Sequence, residues 1–99
     1  MIIYNVTMAV EVAIHDEWIV WMANEHMPEV LATGKFVDVK MYKVLLEKED
    51  SITYSVQYFA ENLAQVQLYL AENAHELQAK HRQKYGDNVV AFRTVLEEV

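Results

Sequence analysis

The sequence predicts an α+β domain in which four antiparallel strands carry two helices on one face. Three observations support that expectation. Segments with apolar residues at every second position occur four times, segments with helical spacing occur twice, and their order is strand, helix, strand, strand, helix, strand. That order is the split βαβ arrangement. No linker or low-complexity stretch interrupts it, so residues 1–99 are expected to form one domain.

Residues 2–12, IIYNVTMAVEV, alternate cleanly, with Ile2, Tyr4, Val6, Met8, Val10 and Val12 on one face. A helix is expected from Ile14, with Asp16 and Glu17 suited to the positive end of its dipole. Trp18, Trp21, Met22 and His26 follow at helical spacing. Pro28, the only proline, lacks a backbone donor and disfavours helix at Met27, which predicts a kink or a restart there and an end at Gly34. Residues 36–47 and 52–59 alternate again around a polar turn at 48–51 and read as a hairpin. A long helix is expected over 61–85, its stripe set by Leu63, Val66, Leu70, Leu77, His81 and Tyr85, with Gly86 as a left-handed stop. Asn73 and Glu76 form a capping-box-like pair that could divide it. The last strand spans 88–97.

Composition narrows the function classes. Fifteen acidic residues against eight basic ones give a formal net charge of −7, which repels nucleic acid and anionic membrane surfaces. With no cysteine there are no disulfides, thiolate nucleophiles or thiolate metal sites. The first residues lack the charged and apolar regions of a signal peptide, and no apolar run approaches the roughly 20 residues that span a bilayer, so a cytoplasmic location is expected. Only Gly34 and Gly86 are available for phosphate-cradling turns, which excludes the usual nucleotide motifs.

The two faces of the sheet differ. Tyr4, Val6, Met8, Val10, Val37, Val39, Met41, Tyr54, Val56, Phe92 and Leu96 form the more apolar set, expected beneath the helices. The opposite set mixes Asn5, Thr7, Ala9, Lys40, Tyr42, Val44, Leu46, Ser55, Gln57, Phe59, Arg93 and Val95. It is too apolar for a wetted sheet and too polar for an ordinary core. Pairing two such faces across a dyad would exclude water from the apolar members while the polar members satisfy one another, which predicts a homodimer. A chain this short buries only about two thirds of its unfolded surface, so a second copy would also add to its core.

The blocks YNVT, WxxWMxxEHxPEVLATGKF, TYSVQY and VAFRT, together with the strand order, resemble an uncharacterised bacterial family of domains of unknown function. That family lies within the dimeric α/β-barrel superfamily built on the ferredoxin-like fold, and the resemblance covers almost the whole chain. It implies that fold and a dimer. Relatives in the superfamily include cofactor-independent monooxygenases, isomerases, chlorite-reducing haem enzymes and non-enzymatic members, so the fold does not select a chemistry.

Four readings of individual residues follow. His26 is the candidate acid or base, at the rim of a cleft between the first helix and the sheet, with Tyr4, Trp18 and Trp21 as walls and Arg93 as an anion clamp. A core reading stands beside it, in which His26 bonds a backbone carbonyl and Pro28 only turns the chain. Asn5, Thr7, Ser55 and Gln57, with Arg93 beside them, form a polar set on the dimer face that either binds a small anion or fixes register. For metals, Glu72 with His75, and Glu25 and His26 with Glu29, fall short of the ligand sets of bundle sites, so no metal is expected. The relatives bring haem into question, but a chain of this size leaves little room for a porphyrin, and no cofactor is expected. The sequence therefore supports either a small-molecule-binding protein or cofactor-independent enzyme, or a non-catalytic homodimeric interaction module.

Overall fold

A computed structural model describes residues 1–46 and 48–99. Strand β1 (Ile2–Glu11) passes through a 3-10 turn at Val12–Ile14 into helix α1 (His15–Trp21). A π-helical turn, Met22–His26, leads directly into helix α2 (Met27–Ala32). Strands β2 (Asp38–Lys43) and β3 (Ser51–Ala60) form the hairpin. Helices α3 (Leu63–Glu72) and α4 (Ala74–Tyr85) precede strand β4 (Val89–Glu97). The sheet is antiparallel with strand order β2-β3-β1-β4, the ferredoxin-like topology.

Both expected interruptions occur. The kink at Pro28 takes the form of the π turn, closed by the Met27 amide donating to the Met22 carbonyl five residues back, with Pro28 in the first turn of α2 where a missing donor is harmless. The long helix divides at Asn73, but not through a capping box. The Asn73 side chain makes no cap bond and instead accepts from Lys35 Nζ at 3.4 Å. The cap that does form is Asn62, whose Oδ1 accepts from the Gln65 amide at 3.1 Å and starts the helix at Leu63. Gly86 stops α4 at φ +54°, as expected.

The helices cover Ile2, Tyr4, Val6, Met8 and Val10 of β1 and Tyr54, Val56, Tyr58 and Ala60 of β3. Trp18 and Met22 from the first helical segment are fully enclosed, and Val30, Val66, Tyr69, Leu77 and Tyr85 complete the core. In the long helix Tyr69 takes the inward position expected of Leu70; Leu63 and Leu70 are exposed.

Two expectations about the sheet are overturned. Strand β2 starts at Asp38, because Phe36 leaves the strand line to fill the core, with its ring 6.0 Å from that of Tyr4 and 4.9 Å from that of Tyr69. Val37 is correspondingly exposed rather than buried. The expected end of that strand, Glu47, lies outside the described residues. The second correction is the facing of β4. Val6 pairs with Arg93 and Thr7 with Phe92, and directly paired residues share a face. Val89, Ala91, Arg93 and Val95 therefore lie on the helix side, and Val90, Phe92, Thr94 and Leu96 on the open side. Val90 is 67% and Phe92 60% exposed.

Candidate functional site

The turn of facing moves Arg93 from the open sheet face to the space under α4, toward the histidines. An open cleft of about 540 Å3 lies there between α4 and β4, lined among others by Gln78, His81, Arg82, Asp87, Ala91 and Arg93. The chain has only two arginines, Arg82 and Arg93, and both line this cleft. Against them stands one lining carboxylate, Asp87, so a protein of net charge −7 presents a locally basic opening. A groove of about 780 Å3 around the β2–β3 connection, lined by residues such as Lys43, Leu45, Lys48 and Glu49, gathers no aromatic ring or histidine.

Behind His81, which lines the cleft, helical spacing builds an aromatic cluster. His26 ends the π turn, buried at 8% exposure, and its ring stacks on Trp21 with centroids 5.1 Å apart. His81 and Tyr85, one turn apart on α4, close on the same indole at 5.6 and 5.5 Å. The two imidazoles meet edge to face at 5.9 Å. Trp18, fully buried, donates its indole N–H to His81 Nε2 at 3.0 Å. Neither nitrogen of His26 has a hydrogen-bond partner among the described residues, so the core reading of a histidine tied to a backbone carbonyl is not what the fold contains.

Burial sets the electrostatics. Removal from water lowers the pKa of His26 to about 4, opposed by Glu29 and assisted by Arg93 and Lys80. Burial likewise lowers His81 to about 4, with His26 and Arg93 acting in the same direction. Both imidazoles are therefore neutral near pH 7. A base of such low pKa is a poor acceptor for the proton of a typical carbon or phenol acid, which weakens the acid–base reading of His26 and favours hydrogen bonding. Burial raises the pKa of Tyr4, while Arg93 and Gln78 pull it back. Those groups are near enough to act on the phenol, yet Tyr4 Oη makes no well-formed hydrogen bond and is buried without a partner.

The predicted site residues thus divide. Arg93 lines the cleft, Tyr4 and His26 lie buried within reach of its charge and Trp21 stacks on His26, whereas Trp18 is a core residue that touches the cleft only through His81. The opening lies between α4 and β4 rather than between the first helix and the sheet. Sequence reasoning treated His81 as one position of an apolar stripe and did not single out Arg82. The usable signal was that the only two arginines flank the α4–β4 corner.

On the open face, Asn5, Thr7, Ser55 and Gln57 form a chain of bonds. Ser55 Oγ donates to Asn5 Oδ1 at 2.6 Å, Asn5 Nδ2 donates to Thr7 Oγ1 at 3.1 Å and Thr94 Oγ1 at 3.2 Å, and Gln57 Nε2 donates to Ser55 Oγ at 3.3 Å. Thr94 holds the place expected of Arg93, since it is the residue paired with Asn5. These bonds close within one chain.

Among the described residues no cluster of three or more histidine or carboxylate side chains could hold a metal. His81 Nε2, occupied by the Trp18 indole, is not free to ligate a haem iron.

The signature of Domain of unknown function (DUF4286) matches residues 1–99. The chain belongs to the DUF4286 family. No curated protein sequence matches this DUF4286 chain. Among solved structures it is similar to an EthD family protein from Bacillus halodurans, with a TM-score of 0.68 and 13% identity over 100% of both chains. A candidate antibiotic biosynthesis monooxygenase from Deinococcus radiodurans gives a TM-score of 0.68 and 14% identity, over 100% of this chain and 93% of that one. A dimeric ferredoxin-like protein from an uncultured marine organism gives 0.62 and 13%, over 99% and 98%. At these identities the likeness shows that the DUF4286 chain shares their ferredoxin-like fold, and nothing about its chemistry.

Proposed function

We propose that this protein, one domain over its 99 residues, is a cytoplasmic homodimer that binds a small organic anion in the cleft between α4 and β4. The observation that carries the reading is the placement of both arginines of an acidic chain on one cleft, backed by His81 and an unpartnered buried tyrosine hydroxyl. A guanidinium offers two parallel donors in a plane, which suits a carboxylate. His81, neutral at pH 7, supplies a further hydrogen bond without adding charge, and the Trp21 indole packs behind it. Binding is favoured over acid–base chemistry because neither histidine is poised near neutral pH.

The dimer would form through the open sheet face. Many of the polar groups there bond one another within the chain, which lowers the cost of covering them with a partner. Val90, Phe92 and Leu96 around them are exposed and apolar. That a dimeric ferredoxin-like protein shares this fold supports homodimerisation.

Thermal-shift titration with a panel of small organic carboxylates and their matching primary amides tests the ligand class. Carboxylates are expected to stabilise the wild type and amides not. Arg93→Gln should weaken the effect on the order of tenfold or more, the loss typical of a charge-assisted hydrogen bond. Equal shifts from acid and amide, or an unaltered response in Arg93→Gln, would remove the anion site.

A further inference from the structure

His81 faces two ways. Its Nε2 lies 3.0 Å from Trp18 Nε1 inside the core, while the residue itself is half-buried and lines the cleft. An indole nitrogen can only donate, so Nε2 must be the unprotonated acceptor. In a neutral imidazole the single proton then resides on Nδ1, and that nitrogen has no protein partner among the described residues.

We infer that Trp18 is a positioning residue: its buried indole N–H locks His81 as the Nδ1–H tautomer, making His81 a second hydrogen-bond donor beside Arg93 for a ligand with two acceptor oxygens, a planar carboxylate. The inference rests on the anion-binding reading for its ligand, but not for the tautomer. An unlocked imidazole could turn a lone pair toward the ligand instead, and would then repel an oxyanion. With Nδ1–H fixed, the site discriminates against groups that present donors, such as amides and ammonium ions. Trp18 earns this role by rigidity, since its fully enclosed ring cannot follow the ligand.

The test reads the tautomer and the affinity separately. Long-range 1H–15N correlation spectra of the ligand-free protein at pH 7 should show His81 protonated on Nδ1. Trp18→Phe, which removes the donor and keeps an aromatic ring, should turn His81 into a mixture of tautomers. Titration with benzoate should show about fivefold or greater weakening in Trp18→Phe and on the order of tenfold in His81→Leu. Should Trp18→Phe fail to fold, His81→Asn serves instead: its amide nitrogen stands near the position of Nδ1, and it should keep benzoate affinity within about threefold while His81→Gln does not. A wild-type His81 protonated on Nε2 overturns the role of Trp18 whatever benzoate does. The same holds if His81 keeps its Nδ1–H tautomer in Trp18→Phe, or if His81→Gln binds benzoate as well as His81→Asn. A locked Nδ1–H tautomer in a protein that binds no benzoate overturns the carboxylate and leaves the tautomer lock standing.

Discussion

His26 is the residue where stability and function pull apart most visibly. The His26 side chain is largely buried, but unlike the Tyr4, Tyr58 and Tyr85 hydroxyls its nitrogens are not sealed from water without a partner, so keeping the imidazole inside costs the fold a partial desolvation. Replacing it by an apolar ring of similar shape removes that cost, so His26→Phe is expected to raise stability by about 1 kcal/mol in urea unfolding. A loss of that size instead would mean that the imidazole has partners in solution. The pH dependence has a definite sign. His26 falls from 6.5 in the unfolded chain to about 4 in the folded one, and His81 does the same. Between those values the unfolded state binds more protons, so the stability is complete above pH 6.5 and is lost as pH falls toward 4. For His26 alone this amounts to about 2 kcal/mol after discounting its residual exposure and its coupling to His81. Unfolding measured from pH 7 to 4 should show this slope, and His26→Phe should flatten it. A slope unchanged by that substitution would assign it to other groups.

At the scale of elements, most of the architecture was legible, and the exceptions share a cause. Alternation located all four strands, and Pro28 and Gly86 announced the π turn and the end of α4 because each has a backbone property no other residue supplies. Gly86 adopts φ +54° and ψ −129°, and Gly86→Ala is expected to cost about 1 to 3 kcal/mol through backbone strain alone, since a methyl group there would meet open space. A neutral effect in chemical denaturation would show that the α4–β4 corner can adopt another turn. What alternation could not decide was which face of β4 points inward. Hydrophobicity places Phe92 and Leu96 beneath the helices, but register with β1 turns them outward, on the same side as Val90. Hydrophobicity marks burial in the assembled molecule, and in a strand buried on both sides it does not say which cover comes from the chain itself. The misassignment carried Arg93 to the wrong face and hid the cleft. The position of Asn5 was readable in the end through its pairing with Thr94, which the sequence alone does not give.

At the scale of the molecule, the outward face of β4 supports assembly. Phe92→Glu places a charge in the middle of the proposed contact, opposite its own copy or close to it, and is expected to weaken self-association by at least tenfold in sedimentation equilibrium while leaving the circular dichroism spectrum intact. A variant as dimeric as the wild type at low concentration would show that the copies meet elsewhere. No helix among the described residues is long and apolar enough to cross a membrane. The acidic surface and the basic cleft are complementary parts of one design. A net charge of −7 disfavours the approach of anionic polymers, and the two arginines gathered on the α4–β4 cleft are what the proposed small-anion site rests on.

Native mass spectrometry of the protein purified gently from its expression host, beside Arg93→Gln treated identically, tests the central claim most directly because it reads assembly and cargo together. The account predicts a homodimer carrying a reproducible small extra mass that is lost from the variant. A monomer, or a dimer whose adduct persists without Arg93, would contradict it.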